Sequence, residues 1–353
     1  MINIISPINP LGYGVAGLNI VKELSKLTQV SLFPMGQISG LNNAQDAEVV
    51  KKCIANSRMP SFTDACVRIW HQNDMSQFVG NGKRIGFPFF ELDNFSDIEK
   101  HHLQFPDQII VSSKWAKEVV VNSCNLTNVS VVPLGVDSSI FTPHENTEEK
   151  TIFFNCGKWE YRKGHDIIPL LFNNAFTEQD NVELWMMTQN PFLSKEQSEA
   201  WSKIYKNSKL GSKIKLVDRV NTHKEVYNIM RNVDCGLFPS RAEGWNLELL
   251  EMMSCGKNVI ATDYSAHTEF CNHDNALLIS VDEKETAKDN IWFHGDVGQW
   301  AKLGRNQMDQ AIQHMRDVHN KKQNGHLQVN KSGIDTARYF SWHNTAKGIL
   351  KNV

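Results

Sequence analysis

The sequence predicts an α/β protein made of two doubly wound parallel sheets. Three observations carry that expectation. Short apolar runs alternate with helix-like segments along nearly the whole chain, the pattern of strands joined by crossover helices. The runs fall into two sets of about six, enough for two separate sheets. Between the sets, residues 133–150 gather proline, glycine and a charge run, as a linker does.

Taken in order, the first set of strands is expected at 2–5, 30–33, 66–70, 84–89, 108–112 and 129–132. The second set is expected at 151–155, 182–187, 214–217, 235–238, 258–261 and 276–279. A helix is expected at 18–27, directly after a glycine loop, and another starting near His165 and Asp166. Residues 36–61 are polar and weakly patterned and read as a helix-containing excursion of the first domain. After about residue 298 the pattern turns helical through 299–320, and 342–350 reads as a last short amphipathic helix.

Composition narrows the class. At 353 residues the chain holds two ordinary domains, and a hydrophobic fraction of 41% supports a sizeable core. A net charge of −2 gives no global electrostatic case for nucleic acid or an anionic membrane. Residues 1–149 carry 11 Lys and Arg against 15 Asp and Glu, which ranks a DNA partner low. The seven cysteines are scattered without a C-x-x-C pair, which argues against zinc and disulfide frameworks and suits a reducing cytoplasm. The first residues lack a basic start and a signal-length apolar run, and no stretch approaches the roughly 20 apolar residues of a membrane span. A cytoplasmic location is therefore expected.

The richest segment is Ser240-Arg241-Ala242-Glu243-Gly244-Trp245-Asn246-Leu247-Glu248-Leu249-Leu250-Glu251, framed by the apolar runs 235–238 and 258–261. The spacing predicts Glu243 at the mouth of a helix and Glu251 about two turns along on nearly the same face. Two carboxylates so placed can grip two sets of hydroxyls on one elongated ligand, with a phosphate resting on the helix N-terminus between them. The blander alternative is a pair of surface glutamates.

Two glycine loops follow strands. Gly12-Tyr13-Gly14-Val15-Ala16-Gly17 has the spacing G-x-G-x-x-G. A dinucleotide site would want an acidic residue after the second strand, and 30–35 offers none, leaving a tight turn or a phosphate- or sugar-facing loop. Gly157-Lys158-Trp159-Glu160-Tyr161-Arg162-Lys163-Gly164 crowds three cations into a loop after a parallel strand. Cations there can neutralise a leaving diphosphate, or form a solvated basic turn. His71, at the end of the third strand, either lines the crevice or is satisfied by backbone groups. Glu91 and Asp93 occupy the same position after the fourth strand and are read as acceptor-facing carboxylates or as acids of a helix N-terminus.

On these residues the chain resembles the retaining GT-B glycosyltransferases of family 4. The resemblance spans nearly the whole length and is strongest over residues 131–270. It rests on the Glu243–Glu251 segment with its trailing Cys255-Gly256-Lys257-Asn258-Val259-Ile260-Ala261, on residues 132–143, on the loop 157–164, and on Ser341-Trp342. It implies a first domain of 1–145 that binds acceptor, a donor domain of 146–339, and a last helix, about 340–353, that crosses back to the first domain. It implies Lys158 and Lys163 on the donor diphosphate and Glu243 on the donor sugar. The backbone N–H groups of Trp245, Asn246 and Leu247 would meet sugar and phosphate, Glu251 the ribose, and Arg219 and Val220 the base. Gly14 would approach the diphosphate from the first domain, and His71 matches the active-site histidine. Lysine replaces the usual arginine at 158, keeping the charge but losing the bidentate fork. Glu248 stands where proline is common, so donor identity is not carried across.

The expected activity is transfer of a sugar from a nucleotide diphosphate, UDP- or GDP-linked, to a hydroxyl of a glycan or small molecule, with retention. No other cofactor and no metal are expected, since Lys158, Lys163 and helix N-termini can supply the counter-charge. Three other readings stay open: the same fold acting on a modified DNA base, a nucleotide-sugar epimerase, and a non-catalytic nucleotide-sugar-binding subunit.

Overall fold

The structure, a computed structural model, describes residues 1–41 and 43–353. The first domain runs β1 (Ile2–Ser6), α1 (Gly12–Leu27), β2 (Val30–Pro34), α2 (Ala44–Asn56), β3 (Cys66–Arg68), β4 (Arg84–Gly86), α3 (Asp97–Leu103), β5 (Gln108–Val111), α4 (Lys114–Cys124) and β6 (Val129–Val131). Its six strands are parallel, in the order β2-β1-β3-β4-β5-β6.

The second domain runs β7 (Thr151–Cys156), α5 (Ile168–Ala175), β8 (Val182–Met187), α6 (Lys195–Lys206), β9 (Ile214–Leu216), α7 (His223–Met230), β10 (Cys235–Phe238), α8 (Leu247–Ser254), β11 (Asn258–Thr262) and β12 (Leu277–Ile279). These strands form a second parallel sheet, β12-β11-β10-β7-β8-β9. A hairpin, β13 (Lys284–Lys288) and β14 (His294–Ala301), stands outside both sheets. Three helices finish the chain: α9 (Arg305–Gln323), α10 (Lys331–Tyr339) and α11 (Trp342–Leu350).

Central strands such as β1, β7 and β10 are buried almost throughout. Helices cover both faces of a parallel sheet, which is why these strands read as continuous apolar runs. All twelve expected sheet strands are present, β3 and β4 ending two to three residues earlier than their apolar runs suggest. Within 36–61 lies α2, whose N-cap Asn43 accepts from the Asp46 N–H and so fixes the helix start.

Three expectations are corrected. Helix α1 begins at Gly12, so the glycine motif forms the first turns of the helix rather than a loop ahead of it. Helix α5 begins at Ile168, after a turn through 161–167. Residues 299–301, expected to be helical, are the end of β14, and α9 starts only at Arg305. Glycines at 295 and 298, both with positive φ, and the polar strand residues gave no helix or sheet period there.

The chain crosses between domains twice, at adjacent points. The Val136 N–H donates to Phe340 O at 3.0 Å, and Val136 and Ser341 form an isolated parallel bridge. Gly135 is required here, because a Cβ would lie 2.2 Å from the Trp342 nitrogen. Beyond the second crossing α11 packs on the first domain. Thr345 Oγ1 donates to Pro133 O at 2.8 Å and Lys83 Nζ donates to Asn352 O at 2.7 Å.

Candidate active site

The strand orders place a switch point between β1 and β3 in one sheet and between β7 and β10 in the other. Loops leaving the carboxyl ends of strands at such a point bound a crevice. In the second domain those loops are 157–167, after β7, and 239–246, after β10. Adjacent parallel strands therefore bring Lys163 and Glu243 together across 80 residues of sequence.

Glu243 is 4% exposed and lies in the loop four residues ahead of α8, not within it. Its Oε1 accepts from Lys163 Nζ at 2.9 Å and Ser240 Oγ at 2.9 Å, and its Oε2 accepts from Arg162 Nη1 at 2.8 Å. Its N–H donates to Ser265 Oγ at 2.8 Å. Arg162 also donates to Ala242 O at 2.6 Å and to Glu160 Oε2 at 2.6 Å. Burial alone would raise the Glu243 pKa, but Arg162 and Lys163 hold it well below the carboxylate range. Burial likewise opposes the charge on Lys163, but the carboxylates around it, Glu243 first and then Glu248, together raise the Lys163 pKa. Every member of this buried cluster has a charged partner, the condition under which buried ions are tolerated.

Helix α8 opens at Asn246, held at φ 83 and ψ 79, whose side chain accepts from the Leu249 N–H. That side chain also meets His267 Nε2 at 2.9 Å. Among the described residues no acceptor meets the backbone N–H groups of Trp245, Asn246 or Leu247. The Trp245 indole turns into the core between the domains, against Phe270 and Phe340, with its Nε1 unpartnered. Glu251, on α8, is buried with no hydrogen bond to its carboxyl among the described residues. Burial, and then the charge of Glu248, push its pKa well above the carboxylate range. At the end of β7 burial pushes the Cys156 thiol up, with the charges of Glu248 and Glu251 adding to it.

The first domain supplies the opposite wall. His71 stands open to the crevice between Tyr13 (ring centroids 4.6 Å apart) and Trp70 (4.7 Å). The surrounding protein, and then the charge of Lys158 across the crevice, lower its pKa. Glu91 Oε1 lies 3.7 Å from Arg162 Nη2, the closest approach of charges from the two domains at this point. Its pKa is raised, chiefly by desolvation. Gly244 faces Phe89 and Phe90, where a Cβ would lie 3.2 Å from Phe90 N, and its carbonyl accepts from Ser112 Oγ at 2.6 Å.

The remaining expected site residues meet groups of the protein itself. Gly14 faces Asn9, whose backbone oxygen would lie 2.3 Å from a Cβ there, so the β1–α1 turn packs too closely at this point for a side chain. Asp93 accepts from Lys284 Nζ at 2.6 Å and from the Gln299 N–H at 2.7 Å, tying the hairpin to the first domain. Lys158 pairs with Glu160 at 3.1 Å and stays about a third exposed at the mouth. Arg219 Nη2 donates to Pro10 O at 2.9 Å, beside the β1–α1 turn, and Val220 is half-buried next to it. Among the described residues no group of three or more His, Cys, Asp or Glu is placed to hold a metal ion.

The comparisons with known proteins follow this geometry. Over 99% of the chain the architecture superposes on sucrose-phosphate synthase from Thermosynechococcus elongatus (TM-score 0.71, 14% identity, 97% of that chain covered). It superposes equally on HepE of Anabaena solved with UDP and glucose (0.69, 14%, 99% and 98%). A glycosyltransferase from Rickettsia africae gives 0.68 at 14% identity, covering 99% and 96%. The fold is GT-B. Residues 149–294 match the family model described as glycosyl transferases group 1, a span that contains both crevice loops of the second GT-B domain. No match was found among curated protein sequences.

Seen as a GT-B crevice, the site contains groups that sequence reasoning left without a role. Arg162 and Glu160 form the centre of the charge cluster, and Ser240 and Ser265 fix Glu243. Only the crowding of cations in 158–163 hinted at Arg162, since its partners Ala242 and Glu243 come from another loop.

Proposed function

We propose that the protein transfers a glycosyl group from a UDP-linked donor to a hydroxyl of a glycan or small molecule, with retention at the anomeric carbon. The observation that carries this reading is the meeting of Lys163 and Glu243 at the switch point of a GT-B second domain that matches the group 1 family model. Structural neighbours solved with UDP and with UDP-glucose support the choice of base. Lys158 and Lys163 would face the diphosphate, together with the N–H groups that open α8. Glu251, lacking a partner, would accept the ribose hydroxyls. On Glu243, Oε1 already accepts twice while Oε2 accepts once from Arg162, which leaves one lone pair for one sugar hydroxyl.

In the reaction, the bond between anomeric carbon and diphosphate oxygen breaks as the acceptor oxygen forms its bond on the same face. The leaving diphosphate oxygen takes the acceptor proton. The chain contributes position and counter-charge rather than a nucleophile. A thermal-shift series with UDP, GDP and ADP tests the donor reading. A ligand at 100 times its Kd adds about 2.7 kcal/mol, or about 5–10 °C for domains of this size. UDP is expected to give the largest shift, and the anomeric proton of the product, read by NMR at early times, is expected to keep the donor configuration. Equal, negligible shifts for all three nucleotides would refute the donor reading, and an inverted product would refute retention.

A further inference from the structure

The β13–β14 hairpin is anchored to both walls of the crevice. At its base the Ala301 N–H donates to Arg241 O at 2.9 Å, and Trp300 packs under it against Tyr161 and Phe293. Lys284, paired with Ala301 at that base, and Gln299 hold Asp93, and Gly298 rests on Leu92, where a Cβ would come within 2.9 Å of the leucine Cβ. The tip, however, buries nothing large. Trp292 is 45% exposed and stands edge-to-face with Phe192, 54% exposed, with ring centroids 6.1 Å apart at 82°. The tip is fixed, because the N–H groups of Ile291, Trp292 and Phe293 all donate to Asp289 Oδ1. Phe293 turns inward and Trp292 outward from that same turn.

The exposed pair lies at the crevice mouth. Lys158 Nζ sits 5.1 Å from the Phe192 ring centroid and 3.1 Å from Glu160, a member of the crevice charge cluster. Two exposed aromatic rings beside a reaction crevice offer flat apolar faces next to a group that can hydrogen-bond hydroxyls, here the Lys158 ammonium. A pyranose ring presents the matching surface, one face of C–H groups rimmed by hydroxyls. A nucleobase would also stack, but the first domain that shares this mouth is net acidic, which disfavours a polyanion. We propose that Trp292 and Phe192 form a stacking subsite for a sugar ring of an oligosaccharide acceptor, presented by the hairpin over the crevice. As an acceptor site this rests on the glycosyl-transfer reading above.

The test is calorimetric titration of the full-length chain, loaded with UDP, with gluco-, galacto- and manno-oligosaccharides of two to six rings, and with single-stranded oligonucleotides as the competing class. The best-binding oligosaccharide is expected to weaken about tenfold in Trp292→Ala and in Phe192→Ala, with Trp292→Phe recovering most of the loss. The thermal shift given by UDP is expected to persist in all three variants, which shows that they fold and keep the donor pocket. Wild-type chain that binds no oligosaccharide of the panel, or oligonucleotides alone, overturns the subsite, as do alanine variants that bind within twofold of wild type. A wild-type chain that binds oligosaccharide through Trp292 yet shows no shift with UDP would sink the donor reading and leave the sugar subsite standing.

Discussion

Arg162 is the residue whose loss the structure says most about. Replacing it with methionine keeps length and apolar bulk but removes hydrogen bonds to Glu243 at 2.8 Å, Glu160 at 2.6 Å and Ala242 O at 2.6 Å. Each hydrogen bond to a charged group contributes about 1.5–3 kcal/mol, and breaking a buried pair costs about 3–5 kcal/mol. Lys163 stays to hold Glu243, so the lower part of that range, about 3–4 kcal/mol, is expected. At about 2–4 °C per kcal/mol the melting temperature of Arg162→Met falls by about 10 °C. Arg162→Lys keeps charge without the fork and recovers about half of it. The loss depends on pH in a stated direction. Burial would raise the pKa of Glu160 and Glu243, and their cations lower both instead. Their stabilisation is therefore present above the unfolded carboxylate pKa, about 4.3, and disappears as pH falls through the lower folded values. The gap between wild type and Arg162→Met is expected to be wide at pH 7 and to narrow near pH 3. Melting by circular dichroism at both pH values decides it. A variant within 2 °C of wild type at pH 7, or a gap that ignores pH, would refute the network as described.

Three further outcomes follow from the same geometry. Glu251→Gln removes a buried carboxyl whose folded pKa is raised, a group that favours the fold while protonated and costs stability as pH rises through that value. The variant is expected to lose part of the alkaline decline in melting temperature while binding UDP about tenfold more weakly; weaker melting at pH 8 with unchanged UDP affinity contradicts both roles. Lys158→Met takes away a cation that depresses His71, so the His71 titration followed by imidazole proton shifts moves to higher pH, and an unmoved midpoint separates the two residues. Gly135→Ala drives a Cβ against the Trp342 nitrogen, so α11 is expected to loosen and its amides to exchange faster while α9 keeps its protection.

Much of the architecture was legible because buried parallel strands announce themselves as apolar runs between turn residues. All twelve sheet strands were readable in this way, and α11 by its amphipathic period. The hairpin was not. Lys284-Glu285-Thr286-Ala287-Lys288 is polar at nearly every position and packs by its backbone and by the single large residue Trp300, leaving no period to detect. The glycine motif misled about where α1 begins, because glycine permits a close approach wherever it sits, within the first turns of a helix as well as in a loop. At the crevice, residue type and spacing pointed to Glu243, Lys163 and Glu251. They could not show that Arg162 and Glu160 close a charge cluster with Glu243, because that depends on which loops two neighbouring strands bring side by side. Asp93 was legible as a carboxylate after a strand, but its partners lie in the hairpin that the pattern hid.

The paired crossings, at Gly135-Val136 and at Phe340-Ser341, put both passages of the chain at one pivot point. The two covalent passages are clamped to each other by the Val136–Phe340 hydrogen bond, so the relation of one lobe to the other is constrained there at a single place. The approach of Glu91 to Arg162, and of the hairpin to Leu92, are further contacts between the same two lobes. The junction between the two halves also borders the site, since Phe340 at the second crossing packs against Trp245, two residues ahead of α8.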